Sequence, residues 1–414
     1  MKYIVNGGKR LFGSLPVYGS KNCALAFLAA SVLTDEDVVI VNCPKIVDVE
    51  VMCKILSAMG KKIIVQGSVL CVSGRVSTFV VPPDLCGKLR GSSILLGGLI
   101  ARYQKARLSL PGGCAIGSRP MDIHLAGLRN MGITCATDNG KLDCFGSPKG
   151  TNFELRFASV GATENLLMAA VMANGSIVLT NCATEPEVEA LEVALCKMGA
   201  NINGIGTGSL SVCGVPNLHG AILEVIPDRI VAATYLSAVA AVGGELRVQG
   251  CIPSHLTSFV DLLKERFDVT VGRNEIKIVA DRSPSDYGEI RTAPYPMFPT
   301  DMQSLVLTLA ACSDGGETQI TENLFENRLQ HNAVELGKMG ADISVCGNKA
   351  VVLGKKLYGA NVCAGDLRGG AALVVAGLAA SGQTIIDCAE HVARGYYNFA
   401  ECLHSVGADV ICVD

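Results

Sequence analysis

The sequence predicts an α/β protein of two domains, assembled from six repeats of one unit. Three observations support this: the length, a glycine that recurs at a regular interval, and a second regular series of apolar segments. A chain of 414 residues is longer than one hydrophobic core usually supports. The composition, 49% hydrophobic and 18% charged, is typical of a globular protein with large buried elements.

The first series is a motif in which a helix is predicted to end at a glycine and a short strand to follow. It reads LSAMGKKI, LRNMGITC, LCKMGANI, LGKMGADI and LHSVGADV, and its glycines are Gly60, Gly132, Gly199, Gly340 and Gly407. Glycine is the usual residue after a helix end, and the β-branched residues that follow favour a strand. The gap between the third and fourth glycines is twice the usual one, and LLKERFDVTV fills it without a glycine. Six copies therefore average 69 residues each.

The second series consists of almost wholly apolar segments, such as CALAFLAASVL, that precede the glycine motif in each unit. These segments begin near Lys21, Arg90, Gly161, Arg229, Asp301 and Arg368. A helix that is apolar all round is buried on all sides, so each unit should supply one buried helix, one amphipathic helix and several strands. The period is longer than the about 20–50 residues of most solenoid repeats, and it suits a whole βαβ-containing unit.

Charge and cysteine content exclude several classes of function. Lys and Arg number 35 against 38 Asp and Glu, without a basic run, so nucleic acid is a poor candidate partner. The start lacks the apolar core of a signal peptide and no apolar stretch is long enough to cross a bilayer, so we expect a cytoplasmic protein. The 18 cysteines should then be reduced thiols. The closest two, Cys135 and Cys144, lie nine residues apart, so a structural zinc site has no support.

The most informative stretch is LPGGCAIGSRPMD, from Leu110 to Asp122. Its glycines and prolines predict a loop, which could close over a ligand and exclude water. The guanidinium of Arg119 would favour the thiolate of Cys114 and would also hold an anionic substrate. The residues alone leave open a surface turn with an incidental cysteine. His124, just after the loop, is more readily explained by a structural role.

Several charged residues open predicted helices and have both a structural and a functional explanation. Ser20 can cap a helix that begins at Lys21. A lysine there opposes the helix dipole at a small cost in stability, so Lys21 is either a solvated lysine or a functional residue. Thr300 and Gln303 form a predicted capping box around Asp301, which is either a dipole-stabilising carboxylate or a general base.

Six motifs in order make the chain resemble the enolpyruvyl transferases over essentially its whole length. They are GSKN at Gly19–Asn22, LPGGCAIGSRPMD, FPTDMQ at Phe298–Gln303, FENR at Phe325–Arg328, DLR at Asp366–Arg368 and RGY at Arg394–Tyr396. The cysteine loop is similar to the catalytic loop of the UDP-N-acetylglucosamine 1-carboxyvinyltransferases.

The resemblance implies a two-domain inside-out α/β barrel with three repeats per domain, helices inside and sheets outside. The first domain would span residues 21–227, and the second would combine residues 1–20 with 228–414. The two domains would face each other across a cleft. One departure is GDLRGGAAL, which carries more glycine than the family pattern.

The resemblance also implies the reaction: transfer of the enolpyruvyl group of phosphoenolpyruvate to the 3-hydroxyl of UDP-N-acetylglucosamine, with release of phosphate and without cofactor or metal. Cys114 would be the acid at the vinyl carbon, and whether it also forms a covalent adduct stays open. Members of the family are inactivated by the epoxide fosfomycin at this cysteine. Asp301 would accept the hydroxyl proton, while Lys21, Arg119 and Arg394 neutralise phosphoenolpyruvate.

The remaining implied residues bind substrate. Asn22 would touch both substrates, and Arg90 and Arg328 would support the site. The expected set is completed by Pro120, Asp122, Ser159, Val160, Gly161, Asp366 and Arg368. The backbone amides of Ser159 to Gly161 would hold the diphosphate, and Asp366, also a plausible N-cap, would lie near the reacting centre.

Two alternatives remain open. One is the transferase that acts on shikimate 3-phosphate, which shares the architecture but lacks the cysteine loop. The other is a non-catalytic repeat protein that only binds a nucleotide sugar, against which the joint presence of Cys114, Asp301 and Lys21 argues. The expected partners are the two small-molecule substrates, with neither nucleic acid nor membrane.

Overall fold

A computed structural model describes residues 1–109, 121–281 and 283–413, except for the side chain of Arg90. Its α-helices are α1 (Lys21–Ala30), α2 (Val47–Ala58), α3 (Pro83–Cys86), α4 (Leu95–Tyr103), α5 (Asp122–Asn130), α6 (Val160–Ala170), α7 (Pro186–Lys197), α8 (Arg229–Val242), α9 (Thr257–Lys264), α10 (Gln303–Ala311), α11 (Arg328–Lys338), α12 (Leu367–Ala379), α13 (Glu390–Ala393) and α14 (Phe399–Ser405). Short 3-10 helices span Ser31–Leu33, Arg90–Ile94, Pro253–Leu256 and Thr300–Met302.

The strands are short, as expected for β-branched runs bounded by glycine and polar turns. They are β1 (Lys2–Asn6), β2 (Leu11–Pro16), β3 (Val38–Val41), β4 (Lys62–Gln66), β5 (Val69–Ser73), β6 (Lys105–Ser109), β7 (Thr134–Asp138), β8 (Lys141–Phe145), β9 (Lys149–Glu154), β10 (Asn174–Thr180), β11 (Asn201–Asn203), β12 (Ser209–Cys213), β13 (Ala221–Glu224), β14 (Gly244–Gln249), β15 (Asp268–Val271), β16 (Glu275–Ala280), β17 (Glu289–Arg291), β18 (Glu317–Thr321), β19 (Asp342–Cys346), β20 (Lys349–Leu353), β21 (Asn361–Cys363), β22 (Gln383–Asp387) and β23 (Asp409–Val413).

The described residues form two compact units. The first unit comprises the described part of residues 19–226, and the second combines residues 1–18 with the described part of residues 227–413. Within the first unit the described strands form sheets of order β13-β3-β5-β4, β6-β8-β7 and β11-β12-β10-β9. Within the second unit they form sheets of order β15-β16-β14-β2, β17-β18-β20-β19 and β21-β22-β1-β23.

The amino-terminal strands belong to the second unit because both pair with strands from the carboxyl-terminal half. Strand β1 lies antiparallel between β22 and β23, with Tyr3 opposite Ile386 and Cys412. Strand β2 lies parallel to β14, with Leu15 opposite Val248.

The apolar segments form buried helices, as predicted. Helices α1, α4 and α6 belong to the core of the first unit, and α8, α10 and α12 belong to the core of the second. Small residues allow close approach: a Cβ on Gly97 of α4 would lie 2.0 Å from the carbonyl oxygen of Asn165 in α6. The Gly97 amide donates to Asn165 Oδ1 at 2.8 Å across this contact.

Two of the buried helices begin near the predicted residues, but with a 3-10 segment. Arg90 and Asp301 lie in 3-10 helices, and the α-helices begin later, at Leu95 and Gln303. Gly91, Ser92 and Ser93 are weak formers of α-helix, which accounts for the delay after Arg90.

The glycine motif has the conformation predicted for a helix end. Its glycines have φ angles between +85° and +106°, namely Gly60, Gly132, Gly199, Gly340 and Gly407. Residues with a side chain rarely adopt this left-handed backbone conformation, which explains why the repeat has glycine at this position. None of the helices in the described part of the chain is long and apolar enough to span a membrane.

Candidate functional site

In the first unit, Lys21 opens helix α1 and is held by an acid from another helix. Ser20 caps α1, its Oγ accepting from the Cys23 amide at 3.5 Å, as predicted. Lys21 Nζ lies 3.2 Å from Oδ2 of Asp48, in the first turn of α2. The Asp48 side chain is 2% exposed and that of Lys21 15%, so Lys21 is not a solvated surface lysine. Asn22 follows it in the first turn of α1.

The predicted diphosphate loop is the N-terminus of α6. Ser159 caps this helix, and its Oγ accepts from the Ala162 amide at 3.4 Å. The first amides of a helix carry partial positive charge and lack partners within the helix. Helix α6 has no acidic residue in its first turn that would compete for an anion there. The Val160 and Gly161 backbone therefore suits a phosphate group.

The residues that follow the cysteine loop pack near this helix start. Asp122 opens α5 and forms an ion pair with Arg156. His124 Nε2 lies 3.2 Å from the position that a Cβ on Gly161 would take, so the two helices need a small residue there. Burial lowers the pKa of His124 to about 4, which leaves it neutral at neutral pH and supports the predicted structural role.

A buried acid in this unit was missed by the sequence analysis. Glu164 lies in α6 and is 6% exposed. Burial raises its pKa well above the ordinary value, and Glu187 and Glu185 raise it further. The available signal was a glutamate inside the otherwise uncharged segment SVGATENLLMAA.

In the second unit, the structure brings Asp301, Arg328 and Arg368 together. Arg328 Nη2 donates to Asp301 Oδ1 at 3.0 Å, and Arg368 Nε lies 3.9 Å from the same oxygen. The arginine side chains are 2% and 5% exposed, whereas that of Asp301 is 29% exposed. The carboxylate is thus fixed by two buried cations and remains accessible to a ligand.

The predicted capping box around Asp301 was wrong. Neither the 3-10 helix Thr300–Met302 nor α10 has a side-chain cap. The Thr300 hydroxyl instead donates to Glu322 Oε2 at 2.9 Å and accepts from Arg328 Nη1 at 2.7 Å. The hydroxyl therefore belongs to the network that holds Asp301, and not to a helix cap.

Two guanidinium donors in this network make no hydrogen bond with the described residues. They are Arg328 Nε and Arg368 Nη1, and both are buried. A buried unpaired donor costs about 1–3 kcal/mol, so an anionic ligand oxygen would be favoured there. Burial lowers the pKa of Arg368, but Tyr396 and Asp301 outweigh burial and hold this pKa above its ordinary value. Arg368 therefore keeps its charge.

The other predicted residues of this unit lie at helix ends. Asp366 caps α12 as predicted, because its Oδ1 accepts from the Arg368 and Gly369 amides at 2.9 and 3.1 Å. Arg394 follows α13 in a turn. Cys363 Sγ and Cys388 Sγ lie 3.2 Å apart at the ends of neighbouring strands, a pairing that sequence spacing did not reveal.

Cys114, Arg119 and Pro120 lie outside the described residues, as does the Arg90 side chain. Their roles stay predictions. Among the thiols that the structure describes, many are buried, and burial raises the pKa of Cys43 and Cys312 to about 12. No group of three or more His, Cys, Asp and Glu within the described ranges is arranged to hold a metal ion.

The comparisons with known proteins cover nearly the whole chain. Residues 5–403 match the family described as EPSP synthase (3-phosphoshikimate 1-carboxyvinyltransferase). The chain is 44% identical over 414 residues to UDP-N-acetylglucosamine 1-carboxyvinyltransferase 2 of Caldanaerobacter subterraneus subsp. tengcongensis, with 99% of each chain covered. It is 41% identical over 418 residues to UDP-N-acetylglucosamine 1-carboxyvinyltransferase of Koribacter versatilis, covering 99% of this chain and 96% of that one.

Solved structures confirm the predicted α/β fold class. The enolpyruvyl transferase NikO from Streptomyces tendae superposes with a TM-score of 0.90 at 27% identity, covering 99% of this chain and 98% of the other. An EPSP synthase from Acinetobacter baumannii superposes with a TM-score of 0.75 at 20% identity and 99% coverage of both chains, which is evidence for the fold alone.

Proposed function

This chain belongs to the enolpyruvyl transferase family, and we propose that it transfers the enolpyruvyl group of phosphoenolpyruvate to the 3-hydroxyl of UDP-N-acetylglucosamine, releasing phosphate. This reaction is the first committed step of peptidoglycan precursor synthesis. Full-length relatives at 41–44% identity carry the name of this activity. Among the site residues, the observation that carries the proposal is the partly exposed Asp301 carboxylate, fixed by buried Arg328 and Arg368.

The chemistry is an addition followed by an elimination. The sugar 3-oxygen bonds to C2 of phosphoenolpyruvate while Asp301 accepts the hydroxyl proton. The C2–C3 double bond takes a proton at C3 from Cys114. Loss of phosphate from C2 and of a proton from C3 then restores the double bond, and the products are the enolpyruvyl ether and phosphate. A positioned base or acid typically contributes about 10²- to 10⁴-fold to such a proton transfer.

The cations have the role of gathering two anionic substrates. Lys21, Arg119 and Arg394 neutralise phosphoenolpyruvate, and Asn22 and Arg90 support them. Lys21 suits this role because Asp48 holds its amine at 3.2 Å instead of leaving it solvated.

The nucleotide sugar is proposed to bind through helix starts and loop residues. The amides at Ser159, Val160 and Gly161 take the diphosphate, because the first turn of α6 contains no competing acid. The remaining substrate contacts are assigned to Pro120, Asp122, Arg328, Asp366 and Arg368. We assign the two three-repeat domains to residues 21–227 and to residues 1–20 with 228–414.

Phosphate release from phosphoenolpyruvate tests this function directly. The purified chain is assayed with UDP-N-acetylglucosamine, with shikimate 3-phosphate and without acceptor. We expect release that depends on UDP-N-acetylglucosamine and a product heavier by the enolpyruvyl group. Release only with shikimate 3-phosphate would identify the other transferase activity. Binding of UDP-N-acetylglucosamine without any release would identify a non-catalytic binding protein.

A further inference from the structure

A buried glutamate outside the proposed site is linked to Asp301 by a continuous chain of hydrogen bonds. Glu322 directly follows β18 and is 2% exposed. Its Oε2 accepts from the Thr300 hydroxyl at 2.9 Å. The Thr300 oxygen accepts from Arg328 Nη1 at 2.7 Å, and Arg328 Nη2 donates to Asp301 Oδ1 at 3.0 Å.

The donors and acceptors fix the direction of this series of hydrogen bonds. A guanidinium can only donate, so the Thr300 oxygen must accept from Arg328. The single hydroxyl proton of Thr300 is then available for Glu322, which offers a carboxylate oxygen. Glu322 thereby orients Thr300, Thr300 orients Arg328, and Arg328 orients Asp301.

Glu322 also fixes Arg328 by a second route. Its other oxygen, Oε1, accepts from the Leu324 and Phe325 amides at 2.8 and 3.2 Å, which holds the turn between β18 and α11. The Phe325 ring in this turn lies 5.1 Å from the Arg328 guanidinium carbon, within the range of a cation–π contact. Both oxygens of one carboxylate therefore act on the same arginine.

We propose that Glu322 is a positioning residue that sets the orientation of the general base Asp301 through Thr300 and Arg328. This inference rests on the proposed function, in which Asp301 accepts the hydroxyl proton. Misplacement of a catalytic group by about 1 Å can cost about 100-fold in rate, so a residue that never touches substrate can control turnover in this way.

Glutamine is the informative replacement because it keeps the shape of Glu322 but has only one accepting oxygen. If the amide oxygen faces the Leu324 and Phe325 amides, the NH₂ group faces the Thr300 hydroxyl. The hydroxyl proton of Thr300 would then have to point toward Arg328, and a guanidinium cannot accept a hydrogen bond. If the amide is flipped, the NH₂ group faces two backbone donors. Either orientation breaks one of the two routes to Arg328.

The first experiment measures kcat at saturating phosphoenolpyruvate and UDP-N-acetylglucosamine. We expect Glu322→Gln and Thr300→Val each to lower kcat about 10- to 100-fold. Thr300→Ser keeps the hydroxyl and should restore kcat to within about twofold of the unmodified chain. The matched control is Glu335→Gln, another buried glutamate of the second unit, whose Oε2 accepts from the Cys363 amide at 2.8 Å. This control should retain kcat within about twofold.

A double-mutant cycle separates positioning from a general loss of structure. In an Asp301→Asn background the base is absent, so adding Glu322→Gln should lower the residual kcat by less than about twofold. An equal loss of kcat in both backgrounds would overturn the inference, as would a Glu322→Gln variant with unchanged kcat. If the unmodified chain is active only with another acceptor, the proposed acceptor is wrong, and the same cycle with that acceptor still tests the role of Glu322.

Discussion

Lys21 Nζ and Asp48 Oδ2 lie 3.2 Å apart, which joins the first turn of α1 to the first turn of α2. A lysine in a first turn opposes the helix dipole, so the sequence alone shows a local conflict at Lys21. Asp48, 27 residues further along the chain, offsets this conflict with a buried carboxylate. The ion pair with Asp48 thereby holds the Lys21 amine at a helix start where the dipole alone would disfavour a positive charge.

Replacing Asp48 by Asn should destabilise the protein. Breaking a fully buried ion pair costs about 3–5 kcal/mol, and because Lys21 is partly exposed we expect about 1–3 kcal/mol less free energy of unfolding. Urea unfolding at pH 7 measures this difference. The control is Asp409→Asn, which removes an exposed pair with Lys9 at 2.9 Å and should cause no measurable change. Equal effects of the two variants would show that the Lys21–Asp48 pair is no stronger than a surface pair.

Replacing Asp301 by Asn should lower turnover about a hundredfold or more. It should also lower the melting temperature, because it removes the carboxylate that pairs with the buried Arg328 and Arg368. Asn keeps an oxygen that can accept from Arg328 Nη2 but cannot take up the proton of the sugar hydroxyl. Initial rates of phosphate release and a thermal melt measure the two quantities. Unchanged turnover would reduce Asp301 to a carboxylate that only pairs with Arg328 and Arg368.

Replacing Gly369 by Ala should destabilise the start of α12. An added Cβ would lie 2.3 Å from Asn332 Oδ1 and 2.7 Å from Asp366 Oδ2. Asn332 is 1% exposed, so its side chain cannot move freely into solvent. We expect a loss of about 1–3 kcal/mol of unfolding free energy, the usual cost of overpacking. The control is Gly337→Ala in α11, where a Cβ meets nothing within 4 Å and should stabilise the helix by up to about 1 kcal/mol. A neutral Gly369→Ala would show that the Asp366 cap tolerates displacement.

The fold could be predicted from the sequence because its signals are local and repeated. The glycine of each repeat and the apolar segment before it depend only on helix ends and helix burial, and both were confirmed at Gly60, Gly132, Gly199, Gly340 and Gly407 and in the buried helices. The individual strands could be predicted from the sequence, but their order in the sheets could not, because β1 and β2 pair with strands that are more than 200 residues away, β22 and β14.

The site was less predictable because its hydrogen bonds are non-local. The spacing of Thr300 and Gln303 indicated a capping box, but the Thr300 hydroxyl bonds to Glu322, 22 residues away. Similarly, the unexpected glycines of GDLRGGAAL have steric explanations that only the structure supplies. Gly369 makes room for Asn332 and Asp366, and a Cβ on Gly370 would lie 2.7 Å from Val392 and 2.8 Å from Ala364.

Stability of the first unit should depend on pH through Glu192. Burial raises the pKa of this residue from 4.5 to about 7. The hydrogen bond from the Gly206 amide lowers this pKa, and the neighbouring Glu189 raises it. Between pH 4.5 and 7 the unfolded chain releases this proton while the folded chain keeps it, so the contribution of Glu192 to stability falls as pH rises. Above pH 7 both the folded and the unfolded chain are ionised at Glu192, so the loss of stability from burying this carboxylate stays at its full value.

Replacing Glu192 by Gln removes this cost and keeps an acceptor for the Gly206 amide, which lies 2.7 Å from Glu192 Oε2. At pH 8 the variant should be more stable than the unmodified chain by at most about 3 kcal/mol, and the difference should vanish near pH 4.5. Urea unfolding at several pH values measures it, with the exposed Glu224→Gln as control. A pH-independent difference would show that Glu192 does not titrate in this range.

Fosfomycin should modify one cysteine, Cys114. Of the described thiols, Cys213, Cys346 and Cys412 are exposed and are the competitors for any electrophile. Most of the others are partly or wholly buried, and burial disfavours the thiolate, as at Cys43. Exposure alone should therefore not determine which cysteine fosfomycin modifies. The phosphonate of fosfomycin is expected to dock where the phosphate of phosphoenolpyruvate binds, which places its epoxide near Cys114 and away from the three exposed thiols.

Peptide mass spectrometry after two parallel treatments tests this expectation. Iodoacetamide, which needs no anion site, should label Cys114 together with Cys213, Cys346 and Cys412. Fosfomycin should add one molecule per chain, on Cys114, with full loss of phosphate release. Cys114→Asp retains an acid of similar reach, so this variant should keep some turnover and resist fosfomycin. Fosfomycin adducts spread over the exposed cysteines, or full activity in a chain that carries the Cys114 adduct, would contradict the assignment of Cys114 as the acid at the vinyl carbon.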